Sequence, residues 1–405
     1  GRVRADRFTY GHRFLAPRRL RVATADLASF QKLLRRAGVL LDLEERKAMI
    51  RSALRRRTGA KEADEELVAV TAQLVEFPHV VLGKIHPEFL KLPHEVLSSA
   101  MKKHQRIFSV HRGKGLAPQF AAVLNGRRRE EAKIVRDYQE VLEARLRDAQ
   151  FFYAEDTKEP LEAKVPRLKG IIFLGKLGNL HEKISRMVEL AEWMGKALKL
   201  AASEVGHLRR ASYLSKADLL AQMVYEFPDL QGIMGREYAG AGGEPGEVAQ
   251  ALADPYLPRN LSQTYQALAR EQTKLGSLLA IIDKIDTLVG AFGIGLEPTG
   301  SQDPYALRRA GGGIVKIIRA FGYRFDIRDL ARESAGLYGE RLTQKLQIIL
   351  SGLERFFKER IVFETGARPG SREEEILTAV LETEWADVGG VFLRYETLRK
   401  TYDKH

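Results

Sequence analysis

Apolar residues recur every three or four positions through most of this chain, and only the first third breaks that rhythm with alternating or continuous apolar runs. From Asp26 to about Leu54 the helical positions Leu27, Phe30, Leu33 and Leu34 are filled, with Gly38 as a break, and residues 65–76 predict another helix. A short strand is predicted around Leu20–Ala23, entered through Pro17. "FPHVVLGKI" is a β-rich run, and Pro87 and Pro93 bracket a turn before the helical "HEVLSSAMKKHQ". "RIFSV" and "QFAAVLN" predict strands separated by the turn "RGKG".

From Arg127 to about Tyr153 the pattern predicts one long amphipathic helix, with Tyr138, Leu142, Leu146, Ala149 and Tyr153 as its stripe. Residues 177–202 predict a second, carried by Leu177, Leu180, Ile184, Met187, Ala191, Met194 and Leu198. Tyr213–Phe227 and Leu275–Phe292 are apolar enough to be buried on several faces. Only "IIFL" at 171–174 gives a strand signal in this half. The tail, 326–405, is helical and interrupted by "ETGARPGSRE". The expected fold class is therefore mainly α: an α+β region over 1–150, an all-α domain over 151–322 and a helical segment over 323–405.

Composition narrows the chemistry. The 405 residues include no cysteine, which excludes a disulfide framework and a thiolate zinc site and fits a reducing compartment. No run of eighteen uncharged apolar residues occurs, nor a signal-peptide pattern, so no membrane association and a cytoplasmic location are expected. The sequence opens at Gly1 as if within a domain and stops at "RKTYDKH" without a capping signal, so it is expected to be a piece of a longer chain. The net charge is +13, and residues 1–57 alone hold 16 Lys or Arg against 5 Asp or Glu. Such an end attracts polyanions. "RRL" (Arg18, Arg19), "LLRR" and "LRRRTG" (Arg55, Arg56) interleave with apolar residues, so these arginines sit on folded elements, either as a solvated face or as a nucleic-acid surface.

Three stretches carry candidate chemistry. Phe292–Gly313, "FGIGLEPTGSQDPYALRRAGGG", has the composition of a phosphate loop, but no Lys follows Gly300, so it is not a Walker loop. Pro298 and Thr299 stand where a class II synthetase would place an ATP-binding arginine, and the class I signatures HIGH and KMSKS are absent. Asp303 is expected to cap a new helix with Pro304 in its first turn and Arg308 and Arg309 in its second. Those arginines serve either a structural Asp–Arg pair or contact with RNA. Next, His181, Ala217-Asp218 and Asp283 follow the order of an HD-type metal site on a helical bundle, but Ala217 replaces the second histidine, which removes a neutral ligand. A metal-dependent HD-type phosphohydrolase is the alternative function. Finally, "MKKHQRIFSV" gathers Lys102, Lys103, His104, Gln105 and Arg106 at a helix-to-strand junction suited to a polyanion.

The blocks "YGHRFL", "VEFP", "LPHEVLSSAMKKHQRIFSV", "RLRDAQFFYAED", "LKGIIFLGKLGNL", "SKADLLAQMVYEFPDLQGIMGREYA" and "DKIDTLVGAFGIGLEPTGSQDPYALRRA" span about 300 residues in order. Together they resemble the beta subunit of bacterial-type heterotetrameric glycyl-tRNA synthetase. Ile107, where that family usually has an aromatic residue, and "RDYQEVLE" before "ARLRDA" depart from its pattern. The resemblance implies a tRNA-binding subunit without an aminoacylation site or a cofactor of its own. Its partners would be tRNA(Gly) and an alpha subunit that uses ATP and Mg. It further implies an editing-like first region, a degenerate HD-like middle and a following anticodon-binding domain. The expected tRNA-binding residues are Arg18, Arg19, Arg55, Arg56, Lys102, Lys103, Gln105, Arg106, Lys284, Arg308 and Arg309.

Overall fold

The computed structural model describes residues 6–112, 115–126, 130–299 and 302–402. The centre of the "RGKG" turn, the start of the long helix at Arg127, Gly300 and the His104 side chain lie outside the described residues. The chain forms two compact units, 1–154 and 155–405, and is mainly helical.

In the first unit, β1 (Phe8–Tyr10) and β2 (Arg19–Arg21) form a small antiparallel ladder. Three helices follow, α1 (Leu27–Arg36), α2 (Leu43–Thr58) and α3 (Glu65–Leu74). Each starts on an aspartate, Asp26, Asp42 or Asp64, whose carboxylate accepts a backbone N–H of the first turn. β3 (Pro78–Lys84), α4 (His94–Gln105), β4 (Phe108–Arg112) and β5 (Gly115–Asn125) complete an antiparallel sheet of order β3-β5-β4, with Val80 opposite Val123 and Phe108 opposite Ala121. Ile50 and Leu54 of α2 and Leu67 and Val68 of α3 bury against Val80, Phe108 and Val110 of that sheet. The chain enters the second unit within α5 (Glu131–Asp156).

Two of the recognised sequence blocks prove to be local scaffolding. In "YGHRFL", His12 is fully buried; its Nδ1 accepts the backbone N–H of Phe14 and Leu15, so Nε2 carries the proton and donates to Asn125 Oδ1 at 2.8 Å. The last residue of "RLRDAQFFYAED", Asp156, accepts the backbone N–H of Gln222 and Met223 and the Tyr238 hydroxyl, each at 2.9 Å.

The second unit is all helical. It begins with α6 (Leu161–Lys164), α7 (Leu180–Ala197), α8 (Ala202–Leu214) and α9 (Gln222–Glu226). α10 (Ile233–Ala241), α11 (Gly246–Ala251) and α12 (Tyr265–Glu271) follow. The centre is α13 (Lys274–Gly293), capped by Thr273 and buried on nearly every side by α7, α8, α11 and the later helices α14 (Leu307–Phe321), α15 (Ile327–Tyr338) and α16 (Leu346–Thr365). α17 (Arg372–Thr383) and α18 (Val388–Tyr402) close the unit, α18 also packing on α14. Fully buried Ile281, Ile282, Ile285 and Leu288 each contribute about 1.5–3 kcal/mol through the area they withdraw from water.

Four expectations need correction. "IIFL" makes a single bridge, Ile172 to Asn179, because Leu174 and Gly175 turn left-handed at once. The run 177–202 is helical only over Leu180–Ala197. Tyr213–Phe227 is not one helix: Ser215 is extended and Lys216 is left-handed (φ 68°), so α8 stops, a 3₁₀ turn covers Ala217–Leu220, and α9 starts at Gln222. The helix after Asp303 starts later than expected. A backbone bond from Ala306 N to Asp303 O closes a turn containing Pro304, and Ala306 is left-handed (φ 54°), which prevents that turn from running on as helix. Asp303 still caps, accepting the N–H of Leu307 at 2.7 Å and of Arg308 at 3.0 Å, so Arg308 and Arg309 lie in the first turn of α14.

Candidate functional site

Apart from Lys274 at its first position, α13 carries its charge in one place. There "DKID" sets Asp283 and Asp286 three residues apart on one face, with Lys284 turned about 100° away. Facing the two acids, α7 presents Lys183 and Arg186 at the same spacing. Lys183 Nζ lies 3.1 Å from Asp283 Oδ1 and donates to Asp286 Oδ2 at 3.0 Å and Thr287 Oγ1 at 2.9 Å. Arg186 donates through Nε and Nη2 to the two oxygens of Asp286, at 2.7 and 3.1 Å, and its guanidinium stacks 3.7 Å from the Tyr338 ring centroid. Asp286 is fully buried and Lys183 and Arg186 nearly so. Charges taken from water this far survive only because each has a partner.

Of the three positions that echo an HD metal site, Asp283 belongs to this frame. Lys216, brought inward by its left-handed backbone, donates to Asp283 Oδ2 at 2.8 Å. Asp283 is thus held by two ammonium groups. Although burial pushes the other way, Lys216 and Lys183 keep its carboxyl well below the usual carboxylate range. Asp218 is buried and accepts the Gly232 N–H at 2.6 Å; burial raises its pKa despite that bond. His181 is half-buried in the first turn of α7. Among the described residues no three His, Asp or Glu side chains converge as metal ligands, so the hydrolase alternative finds no support here.

Beside Asp283 opens a cleft of about 400 Å³. It is lined by Asp283, Lys284 and Thr287 of α13, by Tyr256, Pro258 and Arg259, and by Tyr305 and Arg309 at the start of α14. Lys284 is half-buried and donates to Pro255 O at 2.6 Å. Burial, only partly offset by Asp283 and reinforced by Lys216, Arg309 and Lys183, lowers its pKa to about 8. Gly313 of α14 makes room for it: a Cβ there would sit 3.1 Å from Lys284 Cε. Arg259 and Arg309 are exposed, and neither makes a hydrogen bond or ion pair with another described residue. Arg308, half-buried, is fixed through its backbone by Asp303.

The other predicted residues all lie in the first unit. Arg18 is exposed; Arg19 pairs with Asp6 at 3.0 Å and stacks 3.8 Å from the Phe8 ring centroid. Arg55 and Arg56 are exposed in the last turn of α2, where positive charge also complements the helix dipole. Lys102 is tied to Asp64 at 2.9 Å and Glu66 at 2.7 Å. Lys103 is exposed, Gln105 half-buried, and Arg106 exposed at the left-handed end of α4 (φ 50°). The fold thus brings Lys284 and Arg309 together at the cleft and disperses the rest.

Sequence reasoning missed Lys183, Arg186, Lys216, Arg259 and Tyr305. For the first two a signal existed: they interrupt the apolar stripe of α7 at a spacing that mirrors Asp283 and Asp286.

Comparison with known proteins identifies the family. A family model described as glycyl-tRNA synthetase beta subunit matches residues 1–382. Proteins named glycine–tRNA ligase beta subunit are similar along most of the chain. The one from Desulforudis audaxviator is 42% identical over 365 residues, which is 89% of this chain and 52% of that protein. The one from Desulforapulum autotrophicum is 39% identical over 98% of this chain and 57% of its own length. The one from Trichlorobacter lovleyi is 38% identical over 100% of this chain and 58% of its own. The chain therefore spans a little over half the length of these relatives, and it belongs to the glycyl-tRNA synthetase beta subunit family.

Proposed function

We propose that this chain is a tRNA-binding part of a glycine–tRNA ligase beta subunit, supporting ATP-dependent attachment of glycine to tRNA(Gly) while a separate alpha subunit performs the chemistry. The observation that carries this reading is the family match over residues 1–382. The charge distribution supports it: exposed Arg55 and Arg56 on α2, and Lys284, Arg259 and Arg309 at the cleft, offer cations to phosphates. ATP and Mg belong to the alpha subunit, and the place of action is the cytoplasm. The middle helices are read as a degenerate HD-like fold, in which lysine ammonium groups stand beside Asp283 where a metal would otherwise be expected.

Binding of a tRNA(Gly) transcript to the purified chain, with and without the alpha subunit, tests the reading. Affinity should fall with salt, with a log–log slope of about −0.9 per phosphate contacted if the contacts are to duplex and about −0.7 if to single strand. Indifference to tRNA at low salt even beside the alpha subunit, or glycine activation by the chain alone, would overturn it.

A further inference from the structure

We propose that the cleft beside Asp283 receives one unstacked nucleotide, its phosphate held by Arg309, Arg259 and Lys284 and its base laid against Tyr305. The proposal deepens the tRNA-binding reading, on which it rests for the source of that nucleotide.

The cations come first. Arg259 and Arg309 line the same cleft from separate segments, with no acid partner among the described residues. Nearby cations are satisfied: Lys183 and Lys216 by Asp283, Arg186 by Asp286. Lys284 spends one N–H on Pro255 O and keeps two to donate. Two arginines and a lysine lining one cleft supply the donors that the oxygens of a phosphate accept.

The acids at the cleft do not cancel this field. Asp283 is already neutralised by two ammonium groups, and Asp229 on the rim has interactions of its own within the chain. A bare phosphate site would need only cations, but here the walls are those of an organic ligand. Pro228, Pro255 and Pro258 give apolar surface, Tyr305 exposes 46% of itself at the rim, and Tyr256 is fixed by Lys216, whose Nζ sits 4.6 Å from its ring centroid. Aromatic faces beside cations are how unstacked bases are held without regard to sequence. A volume of about 400 Å³ is within the range of small-ligand clefts. Two left-handed non-glycine residues, Lys216 and Ala306, border the site, and such strain persists where a particular presentation is required.

The test titrates the whole chain, in EDTA, with AMP, UMP and inorganic phosphate, and separately with a tRNA(Gly) transcript, using Arg309→Ala, Arg259→Ala and Tyr305→Ala. All three side chains are exposed, and unchanged thermal unfolding confirms that the variants fold. Saturable binding of the monophosphates without metal, tighter than phosphate and weakened about tenfold by each arginine variant, is the expected result. Tyr305→Ala should weaken the monophosphates and leave inorganic phosphate unaffected. If tRNA displaces the bound monophosphate, the nucleotide belongs to an RNA strand; if it does not, the same chemistry serves a free nucleotide. Equal affinity for phosphate and AMP overturns the base contact. Absence of monophosphate binding, with tRNA affinity unchanged in Arg309→Ala and Arg259→Ala, overturns the proposal and leaves the tRNA-binding reading standing. Loss of that reading shows separately, as wild-type chain that takes AMP but not tRNA.

Discussion

The two units differ in the charge they bury. In the first, cations sit on the surface beside exposed acids: Arg51 with Glu65 at 2.6 Å, Arg19 with Asp6, Lys102 with Asp64 and Glu66. In the second, Lys183, Arg186 and Lys216 are inside the helical bundle, locked to Asp283 and Asp286. Exposed pairs are screened by water and salt and contribute little to folding. Buried ones must be complete or the unit fails. Net charge alone misleads here. Residues 1–57 carry nearly all the excess, +11 of +13, yet the enclosed cationic site lies in the almost neutral remainder.

That contrast can be broken most forcefully at Asp286. Asp286→Ala leaves Lys183 and Arg186 buried without their main acceptor and should cost about 3–5 kcal/mol in urea unfolding. Adding Lys183→Met and Arg186→Met should recover much of that loss; no recovery would mean the acid acts through Tyr338, whose hydroxyl donates to its carboxylate Oδ2 at 3.1 Å, rather than through charge.

A second probe is pH. Lys284 faces Asp283 on its own helix, Lys183 of α7, Lys216, and Arg309 of α14, and its pKa is lowered to about 8. Raising the pH from 7 to 9 should therefore neutralise it and weaken monophosphate binding about tenfold, read by calorimetry. The sign for stability is opposite. A folded pKa below the unfolded value of 10.5 makes ionised Lys284 a cost that is relieved as pH rises through that window. A binding profile flat to pH 9 removes Lys284 from the ligand.

Smaller effects belong to the first unit. If Arg55 and Arg56 meet phosphates, each change to Ala should lower the salt slope of tRNA binding by about 1 and leave monophosphate binding untouched. Glu65→Gln breaks the Arg51 pair, with its 40% and 60% exposed side chains, and should shift unfolding by no more than about 1 kcal/mol. A larger loss would show that surface and interior pairs do not differ as argued.

Most of the architecture was written in periodicity. α5, α13 and the β3-β5-β4 strands fall where apolar spacing places them, because each buries a face that local sequence alone defines. Asp303 was legible as a cap, but the start of α14 was not, since the left-handed Ala306 obeys no side-chain rule. At the site, Lys284 and Arg309 came from motif recognition. Arg259 and Tyr305 did not, because the cleft joins segments near 228, 256, 284 and 307 that only tertiary packing unites. Lys183 and Lys216 escaped because a lysine is assigned to water until a buried carboxylate is known to await it.

The bare Cα of Gly313 ties two distant positions to a common volume. With Lys284 Cε 3.1 Å and Pro258 Cδ 3.3 Å from where a methyl would stand, even alanine requires the lysine stem or the proline ring to give by a few tenths of an ångström. Bulk acquired on α14 has to be surrendered at 284 or 258, so the three sites share one volume and can drift only in concert.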